Sequence, residues 1–196
     1  MAKLDPDVIA AIQRQGPKLV KRDLDKEFKE KFDEVKNKMI KEFLNHPVSV
    51  EISGGSAAGN VSGTLGGITN LFAFIGFPSG DEPLQPILEI LEKTSFRREG
   101  PLKKGARVGY TYAIELPEPQ KIFAATPLPW ATGRSWAKGI ETGLSGLGFL
   151  LRKKSRASRS GEAIQTSRKV RGGKFQNVPY ISALLNKYKK EFEKIK

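Results

Sequence analysis

The sequence predicts an α+β protein: a long N-terminal amphipathic helix packed on a small, mostly antiparallel sheet, with a C-terminal helix and extended loops. Three observations lead there. Apolar residues recur at steps of three and four from Leu19 to Phe43, the spacing of one helix face. Val108, Tyr110, Tyr112, Ile114 and Leu116 alternate without a break, the pattern of a half-buried strand. The two kinds of pattern then follow one another in clusters rather than in the strict alternation of a parallel sheet. Three regions result: a core over residues 1–151, a basic flexible arm over 152–178, and a C-terminal amphipathic helix over 179–196.

Along the chain, Asp5 reads as the N-cap of a short helix with Pro6 at its first position, stopped by Gly16 and Pro17. A second helix of about 27 residues runs from Lys18 to near Asn45, with Leu24, Phe28, Phe32, Val35, Met39 and Phe43 on its apolar face. At 1.5 Å per residue it is about 40 Å long, more than one small domain is expected to cover. Part of its stripe is therefore expected to face another subunit. His46 reads as a residue at this helix's C-terminus, where a cation suits the dipole.

Residues 48–52, VSVEI, alternate like a strand, and the run SGGSAAGNVSGTLGG that follows, with six glycines, reads as a mobile loop or a hairpin of weakly fixed register. LFAFIGF is a buried strand or a short core helix; periodicity does not separate the two. Ser79 or Asp81 is expected to cap a helix bearing Leu84, Ile87, Leu88 and Leu91, with Pro83 and Pro86 in or before its first turn. SFRREG reads as an edge strand before the alternating one, and Lys121-Ile-Phe-Ala-Ala as a further strand. After TPLPWATGRSW, a helix is expected with Trp136, Ile140, Leu144, Leu147 and Leu151 on one face. Gly139, Gly143 and Gly146 fall on another, where a second backbone can approach closely; the alternative is that the stretch is partly non-helical. Residues 152–178 hold too few apolar side chains to order themselves. Pro179 opens the final helix, with Ile181, Leu184, Leu185, Tyr188, Phe192 and Ile195 on its apolar side.

Charge is uneven. The chain carries 34 Lys and Arg against 21 Asp and Glu, a formal +13, and residues 134–174 hold eleven cations and two acids, or +9 of that total. Such a field favours polyanions or acidic protein surfaces. The cations of the arm are Arg152, Lys153, Lys154, Arg156, Arg159, Arg168, Lys169, Arg171 and Lys174.

Catalytic and cofactor chemistry finds little support. Cysteine is absent and His46 is the one histidine, which excludes thiolate zinc sites, Cys nucleophiles and His-rich metal sites. The glycine run contains neither G-x-x-x-x-G-K-[ST] nor G-x-G-x-x-G. Glu34-Val35-Lys36 lies in a solvated helical face rather than at a nuclease strand end, and Asp81-Glu82 suits a helix start. No enzyme activity, cofactor or metal is therefore expected. With no apolar run of membrane length and no secretory leader pattern, the chain is expected to be soluble and made in a reducing cytoplasm.

Pro129-Trp130-Ala131-Thr132-Gly133-Arg134-Ser135 resembles the P-x-x-T-G-R-[LS] element of the small neck and tail-completion proteins of tailed bacteriophages. The order of features resembles theirs too: long helix, small α+β middle, then this element leading into a helix. Residues 45–67, LFAFIGF and RKVRGGKFQNVPYISALLNKY are similar to structural proteins of marine phages. The resemblance implies a non-enzymatic virion subunit, a homo-oligomeric ring at the head–tail junction that joins connector or stopper to tail tube, as completion or terminator protein. Phe28, Phe32, Trp136, Gly139, Gly143, Gly146 and Tyr180 are then the expected interface residues, and the basic arm an expected contact to DNA or to a neighbour. The alternative is a nucleic-acid-binding protein, without sequence preference, acting through residues 152–174.

Overall fold

The computed structural model describes residues 5–67, 69–101, 109–142, 149–153, 163–169 and 175–195, the two short strands 149–153 and 163–169 by their backbone alone. Asp5 opens helix α1 (Pro6–Asn45) as expected, its carboxylate accepting the Asp7 N–H at 3.0 Å. The break expected at Gly16-Pro17 does not occur, and α1 is one helix of 40 residues, about 60 Å long. Pro17 removes one N–H donor from the ladder. The helix nevertheless runs on through it on both sides.

His46 is a joint rather than an end. It closes α1 and caps α2 (Pro47–Ser53), where its Nδ1 accepts the Val48 N–H at 3.3 Å. The strand expected over VSVEI is thus a helix. Val48 and Ile52 are four apart, so they satisfy a helical stripe as well as an alternating one, and both are fully buried while Val50 is exposed.

The glycine run forms neither a hairpin nor a featureless loop but a short 3-10 turn (Gly55–Ala57) and successive turns wound around the buried Glu51. Asn70 then caps α3 (Leu71–Ile75) by accepting the Ala73 N–H at 2.9 Å, and Gly76 ends it in the left-handed region, φ 87°. LFAFI is therefore the short core helix. Helix α4 (Gln85–Glu92) buries Ile87 and Leu91, with Pro86 in its first turn. The expected caps are not used: Leu84 holds the N-cap position with no side-chain bond, and Asp81 accepts the neighbouring Glu82 N–H instead.

Strands β1 (Ser95–Pro101) and β2 (Tyr110–Glu115) pair antiparallel, Phe96 opposite Ile114 and Arg98 opposite Tyr112, with a bulge between Arg98 and Gly100. Val108 lies outside the described residues. Lys121-Ile-Phe-Ala-Ala is not a strand but most of α5 (Pro119–Ala124), which Pro119 starts and whose single deeply buried side chain is Ile122. β3 (Pro127–Leu128) and β4 (Ala131–Ser135) form a tight hairpin that leads into α6 (Trp136–Thr142). Ser135 accepts the Lys138 N–H at 3.1 Å, capping α6. Helix α6 is described as far as Thr142; Leu144 and Leu147 lie outside the described residues, and Leu151 belongs to a strand rather than to this helix.

That strand, β5 (Phe149–Lys153), pairs antiparallel with β6 (Ala163–Lys169). Residues 152–178 are thus structured over part of their length: backbone pairing orders residues that offer no core. The end of this segment also docks, with Phe175 stacked on Phe74 at 6.2 Å and the Val178 N–H donating to the Ile140 carbonyl. The architecture is α+β, with three separate two-stranded antiparallel ribbons, rather than one sheet, among the described residues.

Helix α7 (Ile181–Glu193) closes the core. Its first turn is capped from α6, where Glu141 accepts the Ser182 N–H and hydroxyl, both at 2.6 Å. Its apolar side lies along α1, with Phe192 5.3 Å from Phe32, and Tyr180 just before it 5.9 Å from Phe43. From Phe28 to Phe43 the stripe of α1 is thereby covered by α7, α4 and the β1–β2 ribbon of the same chain.

Candidate functional site

Three features bear on function: the first half of α1, a groove beside its middle, and the cationic β5–β6 ribbon, whose β5 adjoins α3. Residues 6–23 of α1 project as a helical arm. Among the described residues no hydrogen bond, ion pair or ring contact ties this arm to another element, and Leu19 is 82 % exposed and Val8 46 %. Ile9, Ile12, Gly16 and Val20 continue upstream the same stripe that Leu24 and Phe28 carry into the body.

Where α1 enters the body it is pinned. Asp25 accepts the Tyr112 hydroxyl at 2.8 Å and a short bond from the Arg98 guanidinium. Burial is the largest single influence on the Asp25 carboxyl and raises its pKa, but the two hydrogen bonds and the charges of Arg98 and Lys21 together outweigh it and hold the pKa below its usual range. Burial and the neighbouring Asp25 push the Tyr112 phenol up to about 12. One turn on, the Phe28 ring stacks on Tyr112 at 3.9 Å and meets Phe96 edge-on at 5.0 Å.

This stacked pair forms the waist of a groove. On one side Leu24 and Tyr112 line a cavity of about 430 Å³, and on the other Ile114, Leu116 and Ile195 line one of about 550 Å³. Apolar side chains and polar groups share its lining about equally. On the rim Glu27 is paired with Lys31 at 2.6 Å, and Glu118, Glu193 and Lys189 stand further along.

The expected interface residues fall differently from the expectation. Phe32, Trp136, Gly139 and Tyr180 lie in the chain's own core and are closed to a neighbour, because α7 supplies the aromatic cover that a small domain was expected to lack. Phe28 is half-buried and faces the groove. Gly143 and Gly146 lie outside the described residues. The backbone expected to approach α6 is the chain's own, at Val178.

No protein-family model, curated protein or solved structure matches this chain. Function has to be argued from the features themselves.

Of the basic arm, Arg152 and Lys153 lie on β5 and Arg168 and Lys169 on β6, with Arg152 opposite Ile164 and Lys153 opposite Ala163. Lys154, Arg156, Arg159, Arg171 and Lys174 lie outside the described residues. No group of three or more His, Asp or Glu is placed to hold a metal among the described residues. No described helix is long and apolar enough to cross a membrane.

Sequence reasoning passed over Glu51, Asp25 and Ile195. Asp25 and Glu51 give no signal, since each acquires its partners from residues 9 to 87 positions away. Ile195 was seen as part of an apolar face, and that face serves both core and groove.

His46 yields a pH prediction. Burial lowers its imidazole pKa, only partly offset by a hydrogen bond to the Pro179 backbone and by Glu42. Below about pH 6.5 the unfolded chain therefore takes up a proton that the folded one resists, so stability falls as pH falls. Protonation also removes the Nδ1 acceptor from the start of α2. Urea midpoints measured at about pH 7.5 and about pH 5.5 are expected to drop with acid, and His46→Asn, which keeps a capping acceptor but does not titrate, is expected to flatten that drop.

Proposed function

We propose that this chain is a non-enzymatic structural subunit of a bacteriophage head–tail junction, a ring-forming neck, tail-completion or tail-terminator protein that joins connector to tail tube in the virion. What supports this reading is the helical arm over residues 6–23, whose apolar stripe of Ile9, Ile12 and Val20 is only partly buried and whose Val8 and Leu19 are exposed. A stripe of this kind is stable where a neighbouring molecule buries it. The sequence resemblance around Pro129–Ser135 supports the same assignment; in the fold that element is a hairpin with Gly133 at φ 73°, held to α3 by the Trp130 indole N–H donating to the Ile75 carbonyl at 2.7 Å.

A second reading, a nucleic-acid-binding protein without sequence preference, is favoured by the cations on the β5–β6 ribbon. Phosphate neutralisation by such residues gives affinity that falls steeply with salt. Light scattering and negative-stain microscopy of the purified chain separate the two. The ring reading expects closed annular particles and a mass well above 21.6 kDa as concentration rises, with weak DNA binding. A chain that stays monomeric and binds random duplex DNA tightly at low salt, losing this on deletion of residues 152–174, establishes the second reading.

A further inference from the structure

We draw no further inference here: the strongest candidate, the cationic β5–β6 ribbon with Arg152, Lys153, Arg168 and Lys169, belongs to the site already described and carries nothing beyond the nucleic-acid reading given above.

Discussion

Replacing Glu51 by alanine is expected to destabilise the protein by about 3 kcal/mol or more, measured as a lowered urea midpoint by circular dichroism. Glu51 is fully buried, and its two oxygens accept three N–H groups: Asn60 Nδ2 at 2.9 Å, the Ser62 backbone at 2.8 Å and the Leu71 backbone at 2.7 Å. Truncation strands all three donors, and each unsatisfied buried group costs about 1–3 kcal/mol. Asn60 also accepts the Gly67 N–H at 3.0 Å, so the loss spreads along the whole glycine run. Glu51→Gln is the informative companion. Its carbonyl retains two donors while its amide confronts the Ser62 N–H, so it is expected to fall between parent and alanine variant. Equal stability of all three forms excludes this carboxylate as the organiser of residues 53–67.

Trp136→Ala is the second large effect, a loss of about 3–5 kcal/mol. The ring is 2 % exposed, packed edge-on to Phe77 at 5.7 Å and lying 6.3 Å from Tyr180. Its removal leaves a void between α6, α7 and the segment after α3, and the hairpin and helix ends around it cannot collapse without losing their backbone bonds, among them that from the Trp136 N–H to the Thr126 carbonyl at 2.9 Å. For a chain of this length the shift corresponds to roughly 6–20 °C in Tm by calorimetry. Trp130 survives as a fluorescence reporter of the remaining fold. A shift below about 1 kcal/mol is incompatible with the packing described.

These two residues mark the limits of what the sequence discloses. Elements held by local rules were legible: the Asp5 cap, the stripe from Leu24 to Phe43, the alternation in β2, and the apolar side of α7 all depend on neighbours a few positions apart. Two segments were misread for a shared reason. VSVEI and Lys121-Ile-Phe-Ala-Ala are too short for period to decide, and in each a proline, Pro47 or Pro119, marked a helical first turn that apolar alternation outweighed. The composition of the glycine run suggests a mobile loop or a hairpin of weakly fixed register, yet its turns are bonded to a single acid at position 51. The groove was illegible because its waist is Phe28 on Tyr112, a contact between segments far apart in the chain. Interface residues were chosen by apolarity, and apolarity alone marks the inside of a subunit as readily as its edge. Trp136 and Tyr180 belong to the inside.

The position of α7 has a bearing on biosynthesis. Phe32 and Phe43 leave the ribosome long before Tyr180 and Phe192, the rings that cover them, have been translated. At about 5–20 residues per second, the interval between Phe32 and Phe192 lasts roughly 8–30 seconds. Throughout it the nascent polypeptide displays a greasy helix whose lid is incomplete. Holdase chaperones that shield emerging chains suit that surface, and aggregation during synthesis is expected to rise where they are scarce.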